Sequence, residues 1–124
     1  MRSRILIVED DEQLRDAFRV ALVLAGFEVS EAGDGLAALR QVDQSPPDLI
    51  ILDLGLPHVS GISVRREIAA QPHTRHLPIL VVTGSSDHFD GLDAACLLRK
   101  PVSSDQLIEA VRKCLAGGGS TAAH

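Results

Sequence analysis

At 124 residues, 45% apolar but only 2% aromatic, the chain can bury one aliphatic core without Trp or Tyr, as expected of a single domain of ordinary size. A formal net charge of −5 argues against direct nucleic-acid binding or an anionic-membrane surface, both of which need clustered Lys and Arg. No apolar run approaches the roughly 20 residues that span a bilayer, and no signal-peptide pattern precedes Ile5, so the chain reads as soluble and cytoplasmic, with no membrane insertion.

The first element is the aliphatic run Ile5-Leu6-Ile7-Val8, which leads directly into Glu9-Asp10-Asp11. Leu14, Phe18, Ala21, Leu22 and Ala25 then recur at helical spacing, and Gly26 closes that helix. Residues 27–31 alternate apolar and polar, as an edge strand exposed on one face should. Asp34-Gly35 opens a second helix with Leu36, Leu39 and Val42 along it, and Pro46-Pro47 ends it. A second aliphatic run, Leu49-Ile50-Ile51-Leu52, leads into Asp53.

Ser60-Gly61 starts a third helix that turns Val64 and Ile68 inward and ends before Pro72. Pro78 introduces the third aliphatic run, Ile79-Leu80-Val81-Val82, which leads into Thr83-Gly84-Ser85. Between Ser85 and Ala95 poor helix formers predominate, so a short or irregular helix is expected there. Residues 95–99 read as a fifth strand, broken at Pro101. Ser103 and Gln106 have capping-box spacing before a last helix carrying Leu107, Ile108, Val111, Cys114 and Leu115. Residues 1–116 read as the folded domain, and residues 117–124 as a flexible tail or linker stub.

Strands buried on both faces read as continuous aliphatic runs. Their alternation with helices implies an α/β fold: one open, doubly wound, five-stranded parallel sheet with helices on both faces. Parallel strands deliver their C-terminal ends to one edge, where open α/β sheets place their ligands. Glu9, Asp10, Asp53, Thr83 and Lys100 should therefore converge, with the Lys100 ammonium facing the acids across a gap sized for one phosphate. Clustered carboxylates repel one another, and Mg²⁺ resolves the repulsion because it takes oxygen ligands beside one or two carboxylates.

Cys96 and Cys114 lack metal-ligand spacing and a secreted context, and read as buried thiols in place of a disulfide or zinc pair. His58, His73, His76 and His88 show no metal-ligand spacing and read as exposed imidazoles. Neither a Gly-rich phosphate loop nor a dinucleotide fingerprint follows the first strand.

Taken in order, Ile5 to Glu12, then Asp53-Leu54-Gly55-Leu56-Pro57 with Gly61 four residues past the proline, then Val81-Val82-Thr83-Gly84 and Lys100-Pro101 closely resemble the receiver domain of bacterial two-component response regulators. The resemblance covers residues 4 to about 116. It implies a flavodoxin-like fold with strand order 2-1-3-4-5 and a phosphoacceptor role in a phosphorelay, not an enzyme acting on an exogenous substrate. Asp53 would accept a phosphoryl group from a histidine kinase or a histidine phosphotransfer protein.

By the same resemblance, Asp10 and Asp53 would bind Mg²⁺ directly with the backbone carbonyl of Gly55, and Glu9 would act through a metal-bound water. Asp11 competes for a place in the acidic pair; Glu9-Asp10 is preferred because it directly follows the strand and Arg15 lies five residues beyond it. Thr83, a backbone N–H near Gly84, and Lys100 would bind the phosphoryl group. The Lys100-Pro101 bond is expected to be cis. Gly55 and Ser85 are small and would leave water open access to the acyl phosphate.

Receivers usually carry an aromatic residue three positions before the lysine, where this chain has Leu97. Leucine can repack, but it has no ring to swing and no hydroxyl, so an atypical output switch is expected. Output would run through the 84–95 segment, or a partner would read the phosphoryl site directly. The chain reads as a stand-alone, relay or hybrid-kinase receiver, with a downstream protein partner or fused output domain. The alternative is a phosphorylation-independent interaction domain of the same fold. An aspartate-nucleophile phosphatase of the haloacid dehalogenase type is disfavoured, because Gly55 stands where its second aspartate would be.

Overall fold

The computed structural model describes residues 2–84 and 96–117. The helix expected between Ser85 and Ala95 lies outside the described residues, as do Ser85, His88 and the tail after residue 117. Among the described residues, nine elements follow in order: β1 (Arg4–Val8), α1 (Glu12–Leu24), β2 (Glu28–Ala32), α2 (Gly35–Gln44), β3 (Leu49–Leu52), α3 (Gly61–Ala70), β4 (Ile79–Thr83), β5 (Leu97–Arg99) and α4 (Ser104–Gly117).

The five strands form one sheet in the order β2-β1-β3-β4-β5, and every neighbouring pair is parallel. β1, β3 and β4 are the central strands, which is why they are the continuously aliphatic ones. β2 lies at an edge with Glu28 and Ser30 exposed on one face, as its alternating sequence requires, and Glu31 exposed on the other.

The strand period of two sends alternate side chains to opposite faces. Leu6, Val8, Ile50, Leu52 and Val81 pack on one face against Ala38 and Val42 of α2 and Val64 and Ile68 of α3. Ile5, Ile7, Leu49, Ile51, Leu80 and Val82 pack on the other against Phe18 and Leu22 of α1 and Leu107, Val111 and Cys114 of α4. Burying such aliphatic side chains contributes about 1.5–3 kcal/mol each relative to exposure, and this burial is what chiefly holds the sheet between its helices. Leu36 does not join this core: it is 52% exposed, because α2 presents Gly35, Ala38 and Val42 inward and Leu36 lies on the opposite side of the turn.

Local signals set the helix limits. The Asp11 carboxylate accepts hydrogen bonds from the N–H groups of Gln13 and Leu14 at the start of α1, the usual N-cap arrangement. At its other end, Phe27 N donates to Leu22 O, Gly26 N to Val23 O, and Gly26 takes φ 97°. This is a Schellman closure, in which glycine adopts the left-handed conformation without a Cβ clash. Asp34 and Ser60 cap α2 and α3. Ser103 and Gln106 form a reciprocal capping box at α4: Gln106 N donates to Ser103 Oγ at 3.1 Å, and Ser103 N to Gln106 Oε1 at 2.9 Å.

Candidate functional site

Register brings the chemistry together. Val8 pairs with Leu52 and Leu52 with Val81, so Glu9 and Asp53 emerge side by side. Thr83 pairs with Arg99, which places Lys100 at the same edge. Backbone bonds extend the ladder into the site: Asp53 N donates to Val8 O at 3.1 Å, and Lys100 N to Thr83 O at 2.9 Å.

Glu9 and Asp53 are 2% and 7% exposed, and Asp10 is open to solvent. One carboxylate oxygen from each of Glu9, Asp10 and Asp53 lies within 4.8 Å of the others. Asp11 is not a member of this cluster; its carboxylate serves the N-terminus of α1. The Asp53 carboxylate accepts from Gly55 N at 2.9 Å through Oδ1 and from Lys100 Nζ at 3.1 Å through Oδ2. Lys100 Nζ also donates to Glu9 Oε1 at 2.7 Å. The lysine therefore closes directly onto both acids instead of facing them across a phosphate-sized gap. Two buried carboxylates side by side require a counter-charge, and the ammonium supplies it.

Burial pushes the Glu9 carboxyl above its ordinary range, and the nearby Asp53 charge adds to that; hydrogen bonds from Lys100 and from the Asp11 N–H work in the opposite direction. Burial also disfavours the Lys100 charge, but its hydrogen bonds and charge attraction to Glu9 and Asp53 outweigh this, and its pKa is raised. The ammonium is firmly protonated at neutral pH.

Thr83 is buried at the end of β4, and Gly84 lies next to the Lys100 stem, where an added Cβ would sit 3.9 Å from its Cδ. The Lys100-Pro101 bond is cis. Leu97 is half-buried, pairs with Val81, and packs onto the sheet face covered by α2 and α3. His58 follows the site loop at φ 64°, exposed. His73 pairs with Asp43 at the surface.

Two supporting residues have roles the periodic pattern could not give. Arg15 Nη1 donates to the Glu9 carbonyl at 2.8 Å while its Nε lies 3.6 Å from Glu31, fixing the turn from which Glu9 and Asp10 project. Gly61 packs so closely that a Cβ there would lie 2.3 Å from the Asp53 carbonyl oxygen and 2.5 Å from Leu54 Cα. Only glycine lets the start of α3 reach the Asp53 backbone.

Hard oxygen donors in a partly buried, net-negative cluster suit Mg²⁺, which accepts carboxylates and carbonyls and retains waters. Glu9, Asp10 and Asp53 supply such a donor set.

Comparison with known proteins places the fold in a family. The family model for the response regulator receiver domain matches residues 5–112. The response regulator PleD of Caulobacter vibrioides is 36% identical over 117 residues, covering 90% of this chain. The chain spans 26% of that relative's length, and about half that of the DNA-binding regulators it also matches. Among solved structures, a sensor protein from Polaromonas sp. JS666 superposes with a TM-score of 0.86 at 28% identity, covering 94% of this chain and 98% of that one. The signal receiver domain of a signal transduction histidine kinase from Syntrophus aciditrophicus gives 0.84 at 29% identity, covering 93% and 91%. The chain belongs to the response regulator receiver domain family of two-component systems. No helix among the described residues is long and apolar enough to cross a membrane.

Proposed function

We propose that Asp53 is the phosphoacceptor of this receiver, taking a phosphoryl group from a histidine kinase or a histidine phosphotransfer protein. The observation that carries this reading is the placement of Asp53: buried at a central strand end, bonded to Lys100, with two more acids beside it. One Asp53 carboxylate oxygen attacks phosphorus in line with the departing phosphohistidine nitrogen. The O–P bond forms as the P–N bond breaks, and the nitrogen leaves with its electron pair. Lys100 keeps one hydrogen bond to Glu9 and turns another toward a phosphoryl oxygen, and the Thr83 hydroxyl and the Gly84 N–H bind the others.

Asp10, Asp53 and the Gly55 carbonyl would hold Mg²⁺, with Glu9 acting through a water, and the ion would neutralise charge on the transferring group. The domain catalyses at most its own phosphorylation and dephosphorylation. It acts in the cytoplasm as a stand-alone, relay or hybrid-kinase receiver, without direct nucleic-acid contact. Leu97, at the position where an aromatic would swing, shifts the burden of output to a partner or fused domain that reads the site and its neighbouring loops. Small Gly55, exposed beside the Asp53 carboxylate, leaves water a path to the acyl phosphate, and Ser85 is assigned the same part.

Incubation with acetyl phosphate and Mg²⁺, followed by intact mass, tests the proposal. One added phosphoryl group is expected, absent with a chelator and absent in Asp53→Asn. A gain that persists in Asp53→Asn would refute the assignment.

A further inference from the structure

Cys96 and Cys114 are the chain's two cysteines, and neither belongs to the acidic site. Cys96 stands immediately before β5, and Cys114 projects from the inner face of α4. Both join the apolar cluster between the sheet and the helices α1 and α4, and their Sγ atoms are 2.8 Å apart. No atom can lie between them, and their side chains already point at one another. Cys114 is buried and Cys96 half-buried. A half-buried cysteine backed by a fully buried one is the arrangement that lets a first oxidation be resolved within the chain.

The geometry points to a redox site in this pair: hydrogen peroxide converts the dithiol to an intrachain disulfide, and a thiol reductant reopens it. The Cys96 thiolate attacks one peroxide oxygen. The O–O bond breaks, the departing hydroxide takes a proton and leaves as water, and Cys96 becomes a sulfenic acid. The Cys114 thiolate then attacks that sulfur, the S–O bond breaks, and the hydroxide takes a proton and leaves as a second water. The two thiols lose two electrons between them, and the peroxide gains both. In a reducing compartment such a pair is a dithiol at rest and oxidised transiently. The bond would tie the start of β5 to α4, closing a loop that contains Lys100.

The test treats the folded chain with hydrogen peroxide, caps remaining thiols with a maleimide under denaturing conditions, and reads intact mass. The expected product is monomeric, lighter by two hydrogens, uncapped, and restored by dithiothreitol. The disulfide should form without accumulation of a Cys96 sulfinic acid, because folding holds the resolving sulfur beside the sulfenic acid. Cys96→Ser should abolish it. Cys114→Ala, which keeps an apolar core position, should leave Cys96 to proceed to the sulfinic acid. Disulfide-linked dimers, a wild-type chain with both thiols still capped by maleimide, or one ending at the Cys96 sulfinic acid would overturn the inference.

Discussion

Glu9 and Lys100, 91 positions apart in the chain, meet at 2.7 Å at the C-terminal edge of the sheet. The glutamate is almost fully buried, and the lysine extends the same grip to Asp53. One ammonium thus offsets the repulsion of two carboxylates that a parallel register forces together, and much of the site's behaviour follows from that.

Replacing Lys100 with Met leaves Glu9 and Asp53 without their counter-charge. Breaking a fully buried pair costs about 3–5 kcal/mol; with Lys100 partly exposed, about 2 kcal/mol is expected. Urea unfolding at neutral pH measures it. Because the folded Lys100 pKa is raised, this contribution is complete below the ordinary lysine range and is lost as pH rises through the folded value. Wild-type and Lys100→Met stabilities should therefore converge at strongly alkaline pH. A constant gap at all pH values would show that the lysine acts by packing alone.

Asp10 and Asp11 are adjacent but do different work, Asp10 in the acidic cluster and Asp11 as the cap of α1, and paired variants separate them. Asp10→Asn relieves repulsion with Glu9 and Asp53, so the metal-free chain should gain about 1 kcal/mol, near the Coulomb energy of solvent-screened charges. Its melting temperature should no longer rise with Mg²⁺. Asp11→Ala removes the α1 cap and should cost about 1 kcal/mol, while the Mg²⁺ response remains. A lost Mg²⁺ response in Asp11→Ala, with an intact one in Asp10→Asn, would reverse the two roles.

Mg²⁺ binding should weaken in mild acid. Burial raises the Glu9 pKa, so protonation at Glu9 favours the folded state, and that contribution is lost as pH rises through the folded value. A cation needs the ionised cluster, so proton and metal compete. The Mg²⁺-induced rise in melting temperature should shrink as pH falls from neutral, and a rise independent of pH would place the ion elsewhere.

Gly61→Ala pushes a methyl group into the Asp53 carbonyl and Leu54 Cα. An overpacking cost of about 1–3 kcal/mol is expected, with slower phosphorylation because the Asp53 strand end must move. Chemical denaturation and acetyl-phosphate labelling read the two effects. An unchanged midpoint would show that the helix start relaxes away freely.

The sheet was legible in the sequence because aliphatic runs name central strands and an alternating run names an edge. The acids and Lys100 were legible because each ends such a strand. Other features depend on helix phase and distance, which periodicity does not carry. Leu36 turns outward although its neighbours in the pattern turn inward. Asp11 competes for a place in the acidic pair until the first turn of α1 takes its carboxylate. Residues 71–77 read only as a proline-flanked connection, yet the buried Thr74 hydroxyl donates to Ile68 O at 2.8 Å and pins that turn to α3. The direct Lys100–Glu9 contact and the adjacency of Cys96 and Cys114 are products of packing between elements remote in sequence.

The most direct test of the phosphoacceptor proposal is to reduce the labelled chain with borohydride, which converts an aspartyl phosphate to homoserine, and to sequence the peptides by mass spectrometry. Homoserine at position 53 and nowhere else is the predicted result. Conversion at position 10 or 11, or a labelled chain that borohydride leaves unchanged, would contradict it.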